Sequence, residues 1–337
     1  LGLHLEQHHD LTTLPLPLKQ LARGRQDLLE YFGREVFDLL DKTIHQPLLL
    51  LSLLDEIPVP LAAEITGRDN IDTALDELAR RNLFLRALAA DNTSYSLHYL
   101  FRQFLRDKAR MELKPEAIHR VHELAGAFYL DRSDPAQAIH FFLLAEEYRR
   151  IDALLKENGI PLLAANRVTT LGSLLNRVPE TCRNELGWVS FTLALTLMDS
   201  TPTRALPLLN QALTIFSTCG DEIGELLSLS HSISVRIVTT GHYQGGEPLL
   251  HRAVDLFSRA ADSLDAATTI LVARNLAMGY CIFLADVDEA NRYGSLALTL
   301  ARKEQLVNYE AALLMVMGYI RIFAGHTALT KMYLEQA

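Results

Sequence analysis

Hydrophobic positions change their spacing near the end of the first third of the chain. Two short extended runs, Leu83–Leu88 and Ser94–Leu97, flank Asp91 and Asn92, a composition that is typical of a β-hairpin. From residue 99 the apolar positions follow helical spacing instead: Leu100, Phe101, Phe104 and Leu105. The pattern predicts a strand, a tight turn, a second strand and a helix whose first turn carries His98.

Helical patterns precede this hairpin. The amphipathic stretch Asp27–Asp41 predicts a first helix, Pro47–Leu54 a second and Leu61–Thr66 a short third. Asn70–Arg81 predicts another, with Asp69 or Asn70 as its N-cap. Helices followed by a hairpin indicate a winged helix, which we assign to residues 27–113. Residues 1–26, which contain the helix-breaking Leu14–Pro17, are expected to form a tail or linker.

Residues 114–337 carry a helical pattern that repeats. Corresponding second helices contain Gln211–Phe216, Arg252–Phe257 and Leu296–Ala301, and Ala212, Ala253 and Ala297 are 41 and 44 residues apart. The expected turns Gly241–His242, Ala285–Asp286 and Gly325–His326 are 44 and 40 residues apart. Both spacings give a period of about 42 residues, longer than the roughly 34 of tetratricopeptide repeats, with the same small residues at helix crossings. Earlier, weaker units are Glu116–Ala145, Glu147–Val178 and Cys182–Thr218.

The predicted fold class is therefore mainly α: a winged helix with a small hairpin, then a tetratricopeptide-like superhelix. Such an array has a concave face, lined by the first helices of its pairs, that takes a ligand or a partner segment. Four side chains near the ends of these helices are candidates for the groove, namely Arg236, Arg274, Tyr280 and Arg321. The alternative for each is a surface or inter-repeat position.

Composition narrows the function. The net charge of −9 does not favour a dominant nucleic-acid-binding surface, and the expected recognition helix, Leu61–Thr66, has an acid and no base. No uninterrupted apolar run approaches the 18 or so residues that span a bilayer. Three cysteines without metal-ligand spacing favour a reducing, cytoplasmic location. Both ends of the chain are expected to continue into a longer protein.

Motifs for catalysis or metal binding are not convincing. Leu48–Leu54 followed by Asp55 and Glu56 imitates a nucleotide-hydrolysing strand, but the chain contains no Gly-Lys pair and hence no phosphate loop. No Gly-x-Ser-x-Gly motif occurs. The tail cluster of Glu6, His8, His9 and Asp10 lacks a second set of ligands, and His119 and His122 are expected on a solvated helical face. We expect no catalysis and no metal site.

The sequences 79–85 (ARRNLFL) and 97–106 (LHYLFRQFLR) resemble the arm region of the large LuxR-family regulators of the MalT type. The resemblance extends over residues 27–159. It implies a signal-transducing ATPase switch of the STAND class, in which a histidine at the start of the helix after the wing contacts the β-phosphate of ADP. His98 occupies that position, followed by Tyr99 where the family usually has His or Asp.

The resemblance implies that ATP and ADP are cofactors of the full-length protein, and that this portion alone holds none tightly. Residues 1–26 would then end a helical lid of the ATPase core. The expected function is regulatory: the winged helix transmits the nucleotide state, and the superhelix binds a small inducer or a regulatory protein. Self-association belongs to the full-length active form, a slow ATPase switch. The competing interpretation is a protein-binding scaffold that senses no small molecule.

Overall fold

The computed structural model describes residues 36–81, 84–88, 92–164, 168–239, 243, 245–325 and 332–333. Contacts within the chain divide it into two compact units, one that ends at Glu146 (unit 1) and one that runs from Glu147 to Ala337 (unit 2). The tail cluster of acids and histidines, and most of the helix expected over residues 27–41, lie outside the described residues.

Unit 1 opens with four helices in the order expected for a winged helix: α1 (Lys42–Leu51), α2 (Val59–Thr66), α3 (Ile71–Arg80) and, after the hairpin, α4 (Tyr99–Glu112). Helix α1 begins five residues earlier than Pro47, because the side chain of Asp41 accepts a hydrogen bond of 2.8 Å from the Thr43 N–H and caps the helix. The expected bounds of α2 and α3 hold to within two residues.

The wing is a three-stranded antiparallel sheet of β1 (Ile57–Pro58), β2 (Leu85–Ala87) and β3 (Ser94–Leu97), in the order β1-β3-β2. Leu85 pairs with Leu97 and Ala87 with Tyr95, which confirms the predicted hairpin. Ile57 pairs with Tyr95 on the other side of β3. The sequence did not predict β1, because two residues that include a proline give no strand pattern.

The core of unit 1 joins the sheet to its helices. Tyr95 from β3, Phe101 and Leu105 from α4 and Leu61 from α2 are each at most 1% exposed. Two further helices, α5 (Pro115–Asp131) and α6 (Pro135–Leu144), pack as an antiparallel pair within the same unit. The boundary between the arm and the array that we expect at residues 113/114 stays a prediction.

Unit 2 contains helices throughout its described length. In chain order they are α7 (Tyr148–Ala164), α8 (Val168–Leu175), α9 (Glu180–Arg183), α10 (Gly187–Leu197), α11 (Pro202–Cys219), α12 (Glu222–Val238), α13 (Gly246–Ala260), a 3₁₀ turn (Ala261–Ser263), α14 (Ala266–Gly279), a π turn (Tyr280–Leu284), α15 (Val287–Lys303) and α16 (Val307–Phe323). Pairs form from α10 with α11, α12 with α13 and α14 with α15. The helical-hairpin array expected from the 42-residue period is confirmed.

The first helices of these pairs lie side by side in one row. Helix α12 contacts α10 and α14, and α14 contacts α16, while α11, α13 and α15 pack behind them. In a curved stack the row with the closer contacts is on the concave side, so the first helices form the inner row. Ala212, Ala253 and Ala297 on the outer helices are fully buried at helix crossings, as their spacing predicted.

Helix ends in unit 2 follow the expected turn chemistry. Ala285 takes the left-handed conformation (φ 53°), and Asp286 caps α15 by accepting a hydrogen bond of 3.0 Å from the Glu289 N–H. Gly325 closes α16 with φ 77°, which glycine adopts without strain. The third expected turn, Gly241–His242, lies outside the described residues.

Helix α14 and the π turn after it form one stretch, Ala266–Leu284, that is long and apolar enough to cross a membrane by length and composition alone. This stretch is not an uninterrupted apolar run, because Arg274 and Asn275 break it. Half of its most apolar window is buried inside unit 2, as in the core helix of a helical array.

Candidate functional site

In unit 1, His98 lies at the junction of the wing and α4. It is the N-cap residue of α4, and its backbone N–H donates a hydrogen bond of 2.6 Å to the carbonyl oxygen of Phe84. The Phe84 ring packs edge-on against the imidazole, with 5.9 Å between centroids. These two contacts with Phe84 fix the position of His98. Its side chain is exposed and therefore open to a ligand.

A cavity of about 520 Å³ surrounds His98 (the His98 cavity). Arg86 from β2 and Arg102 from α4 line it as well, so three side chains that can donate to an anion face one space. Arg102 is also held by Asp55, with 3.0 Å between Nη1 and Oδ1. The first turn of α4 adds the partial positive charge of a helix N-terminus. This combination of groups suits a phosphate.

Below the His98 cavity, α4 is fastened to the end of α1 by Arg106. Its Nε donates 2.7 Å to the carbonyl oxygen of Ser52, and Nη2 donates 3.2 Å to that of Leu53 and 3.1 Å to Asp55 Oδ1. One guanidinium therefore satisfies two carbonyls at a helix C-terminus and one carboxylate. The position of Arg102, and with it one wall of the cavity, depends on the same carboxylate.

A larger pocket of about 640 Å³ lies in unit 1 beside α1 and α3, away from His98. Its lining includes Asp41, Arg68, Glu77 and Arg81 and no side chain that the sequence predicted for a site. Two acidic and two basic side chains line it, so it shows no preference for one ligand charge.

In unit 2, a cavity of about 500 Å³ opens along the inner row of helices (the groove cavity). Five first helices contribute to its lining, which confirms that the first helices line the groove. The lining residues are Lys156, Glu157, Ile160, Pro161 and Ala164 from α7, Trp188 from α10, Ile223 and Leu227 from α12, Asp265, Ala267 and Thr268 at the start of α14, and Tyr309 from α16. The lining is mainly apolar, with polar groups at its edges, as in small-molecule pockets.

Near Trp188, the polar groups of the groove cavity are joined by hydrogen bonds to one carboxylate, that of Asp221. Asp221 Oδ2 accepts hydrogen bonds from Lys156 Nζ (2.9 Å) and Trp188 Nε1 (3.1 Å), and Oδ1 accepts one from the Gly224 N–H (3.1 Å). Burial of Asp221 would raise the pKa of its carboxyl, but these donors outweigh it and the pKa is lowered. Lys156 also lies over the Trp188 ring, 5.9 Å from its centroid.

Asp152 supports the same corner from α7. Its Oδ1 accepts a hydrogen bond of 2.8 Å from the Val189 N–H in the first turn of α10. Burial raises the pKa of the Asp152 carboxyl to about 6, against the opposing effect of the backbone N–H groups of Val189 and Trp188. Asp152 is thus a carboxyl of raised pKa next to the first turn of α10, whose Trp188 lines the groove cavity.

The four residues predicted for the groove lie in different environments in the structure, and none of them lines the groove cavity. Arg274 is mostly buried on α14, and its Nε and Nη2 donate 3.3 and 3.2 Å hydrogen bonds to Asn275 Oδ1. Tyr280 stacks on Tyr293 of α15, with centroids 5.5 Å apart, and so faces the outer row. Arg236 and Arg321 lie half-buried in the last turns of α12 and α16, beyond the groove cavity. The groove role of these four residues stays a prediction.

Sequence reasoning missed a buried polar group behind the groove. His231 on α12 is 4% exposed, and its Nδ1 donates 2.8 Å to the carbonyl oxygen of Leu227, which lines the cavity. Burial lowers the pKa of His231 to about 4, and the nearby charge of Arg274 acts in the same direction. His231 lies between Ser230 and Ser232 in the sequence, and these polar neighbours gave no sign that its side chain is buried.

Histidine 122 corrects one expectation. We expected a solvated face, but His122 is 8% exposed and packs against Phe141 of α6, 6.4 Å between centroids. Burial lowers its pKa to about 4, so it stays neutral.

Over the described part of the chain, no three His, Cys, Asp or Glu side chains come together in a way that would hold a metal ion.

Comparison with known proteins supports the assignment of the arm. Residues 33–117 match the family model of the MalT winged helix domain. The HTH-type transcriptional regulator MalT of Vibrio cholerae is 26% identical over 175 residues, which are 52% of this chain and 19% of the relative. MalT of Cronobacter sakazakii is 30% identical over 152 residues, 45% of this chain and 17% of the relative. The chain spans about a fifth of the length of these relatives.

Among solved structures, a signal transduction ATPase with numerous domains (STAND) from Pyrococcus horikoshii, which has a tetratricopeptide repeat sensor, has a similar fold. The TM-score is 0.67 at 16% identity, over 91% of this chain and 45% of that chain. The likeness concerns the fold and extends into unit 2. This chain therefore carries a winged helix of the MalT type, is similar in sequence to part of the MalT regulators, and shares the fold of a STAND protein with a tetratricopeptide repeat sensor.

Proposed function

We propose that this chain is the regulatory portion of a signal-responsive, ATP-dependent transcriptional activator. Its winged helix transmits the nucleotide state of an ATPase core, and its helical array binds an inducer or a regulatory protein. The observation that carries the proposal is His98, exposed at the N-terminus of α4 within a MalT-type winged helix and beside a cavity that Arg86 and Arg102 also line. Transcription takes place in the cytoplasm of bacteria, which is where we place the protein.

In this proposal ADP is bound by the core and its β-phosphate reaches His98. The imidazole donates to a phosphate oxygen, and Arg86, which is exposed, adds positive charge nearby. A bond from the winged helix to ADP stabilises the closed form of the full-length protein. The inducer binds the open form better, so it shifts the population, ATP replaces ADP, and the open form self-associates.

The test uses the full-length protein. Replacement of His98 by alanine is expected to weaken ADP binding at least tenfold, since a charge-assisted hydrogen bond contributes about 1.5–3 kcal/mol. His251→Ala removes an exposed histidine from the outer helix α13 and is the matched control. Equal ADP affinities of the two variants would contradict the role of His98. The encoding gene is also expected to specify a phosphate loop before residue 1 and a helix-turn-helix after residue 337.

The second candidate function is a protein-binding scaffold, which the apolar lining of the groove cavity also fits. The two functions differ in what raises the melting temperature of unit 2. A sensor is stabilised by a small metabolite, and a scaffold only by a protein or peptide, because a ligand stabilises the state to which it binds. A metabolite screen by thermal shift separates them.

A further inference from the structure

Arg274 is a mostly buried cation that has no anion paired with it among the described residues. Among the described residues no carboxylate oxygen lies within 4.0 Å of it, and the hydrogen-bond acceptor it has there is Asn275 Oδ1. Burial lowers the pKa of the guanidinium. A mostly buried charge with one neutral partner is costly unless something else compensates it.

Its neighbour Asn275 has a related deficit. Asn275 is 2% exposed, and its Nδ2 has no hydrogen-bond partner among the described residues. The Oδ1 atom is fixed as the acceptor by Arg274, so Nδ2 must be the donor. Buried amide groups in native proteins normally find partners. Two adjacent residues of α14 thus have donor capacity that the described residues leave unused.

Arg274 does not line the groove cavity itself, but it lies on the face of α14 that borders the cavity. Ala267, which lines the cavity, is two turns earlier on the same face, and helical side chains point back toward the N-terminus. Tyr309, which also lines the cavity, is close enough to act on the charge of Arg274, as is His231 behind Leu227. Asp199, the acid that acts on Arg274, is exposed and beyond ion-pair distance.

Two of the charged groups that line the groove cavity already have partners. Lys156 pairs with Asp221, and Asp265 accepts hydrogen bonds from the N–H and hydroxyl of Thr268. Glu157 lies exposed at the rim. The remaining walls are apolar: Ile160, Pro161, Ala164, Trp188, Ile223, Leu227 and Ala267. Because Lys156 is paired with Asp221, the cation near this cavity that has no acid within ion-pair distance among the described residues is Arg274.

We propose that the groove cavity binds a small molecule with an apolar body and one carboxylate or phosphate group, which Arg274 holds. The planar guanidinium binds either anion through two parallel hydrogen bonds. The apolar body lies against Trp188 and Leu227. This inference rests on the proposed sensing function and specifies its ligand class.

Trp188 is the sole tryptophan of the chain, so its fluorescence reports on the groove cavity directly. The probes are phenylacetate, phenyl phosphate and the neutral phenylacetamide, each at millimolar concentration. We expect one of the two anions to change the Trp188 signal saturably, which also tells a carboxylate ligand from a phosphate ligand. The amide is expected to bind at least tenfold more weakly.

Arg274→Gln is expected to bind the anionic probe at least tenfold more weakly than wild type, measured by Trp188 fluorescence. Arg204→Gln makes the same charge change at an exposed position of the outer helix α11. This control variant is expected to bind the anionic probe as tightly as wild type. Asp199→Asn is expected to bind the anion at least as well as wild type, because a competing charge is gone. If Arg274→Gln does not fold, Arg274→Lys, which keeps charge without the fork, is expected to bind with reduced affinity.

Three results would overturn the inference. Equal binding of phenylacetamide, or unchanged binding to Arg274→Gln, would show that the groove takes ligands without recognising an anion, and the sensing function would stand. If none of the three probes altered Trp188 fluorescence, both the anion site and the support for small-molecule sensing would be lost, which would favour the scaffold.

Discussion

Trp188 donates a 3.1 Å hydrogen bond from its indole Nε1 to the Oδ2 of Asp221, the residue that caps α12. The bond joins the start of one inner helix to the start of the next. Because Asp221 also accepts from Lys156 on α7, three inner helices meet at one carboxylate. The geometry of the groove cavity at this end depends on that carboxylate.

Asp221→Ala is therefore expected to destabilise unit 2 by about 2–4 kcal/mol, through a lost N-cap and a lost charge-assisted bond. Asp221→Asn keeps a capping oxygen and should cost less. The measurement is urea unfolding followed by Trp188 fluorescence. Asp255→Ala, at a side chain that is 74% exposed, serves as the control and should change the free energy of unfolding by under about 0.5 kcal/mol. A loss from Asp221→Ala no larger than the control would contradict the role of the network.

Acid should destabilise unit 2 through His231. Its folded pKa of about 4 is below the unfolded value of about 6.5, so the unfolded state binds the proton first. The stabilising contribution is complete above pH 6.5 and is lost as the pH falls toward 4, by about 2 kcal/mol at pH 5. His231→Asn keeps a donor for Leu227 and should flatten this dependence in urea unfolding from pH 7.5 to 5. An unchanged slope would exclude His231 as its source.

Asp152 acts in the opposite direction. Its folded pKa of about 6 is above the ordinary value, so the stability it contributes is present below about pH 4 and is lost as the pH rises through 6. Asp152→Asn keeps an acceptor for the Val189 N–H and removes the buried charge. We expect the variant to be more stable than wild type at pH 7.5, by about 1–3 kcal/mol, and to match it near pH 4. Equal stability at both pH values would contradict a buried, charged Asp152.

Gly224 in α12 has no side chain, and the ring of Phe216 occupies the space that a Cβ atom would need. A Cβ added there would lie 2.6 Å from Cδ1 of Phe216, which is 2% exposed and also packs on Gly187. Gly224→Ala is expected to destabilise unit 2 by about 1–3 kcal/mol through overpacking, measured by urea unfolding. Phe216→Leu in the same chain should recover part of the loss in a double-mutant cycle. If the two substitutions simply added, the ring would not be the cause.

In unit 1, Arg106→Ala is expected to cost about 2–4 kcal/mol, since two buried carbonyls and Asp55 lose their donor. Arg110→Ala, on the same helix with a side chain 67% exposed, is the control and should change little. Thermal melts followed by circular dichroism measure both. Similar melting temperatures for the two variants would show that Arg106 does not fasten α4 to α1.

The hairpin and the helix after it were predictable because Leu85, Tyr95 and Leu97 alternate toward the core and Phe101 and Leu105 follow helical spacing. The period of the array was predictable from Ala212, Ala253 and Ala297. Strand β1 was not, since its pairing depends on Tyr95, far away in sequence.

The site was harder to predict because its walls come from five helices. The sequence selected Arg274 and Tyr280 by their position near helix ends. It could not show that Tyr280 turns toward Tyr293, because that contact depends on how α15 packs against the π turn that begins at Tyr280. The burial of His122 depends on Phe141 of the neighbouring helix, which spacing within one helix does not reveal.

Each helix of unit 2 touches mainly its immediate neighbours, so the stability of the array depends on a series of local interfaces. Lys156 and Tyr309 belong to the first and last of the five inner helices that line the groove cavity. A ligand in the groove cavity, as proposed above, would contact helices that are not direct neighbours in the row. Binding at this one place would therefore constrain the relative positions of all five inner helices.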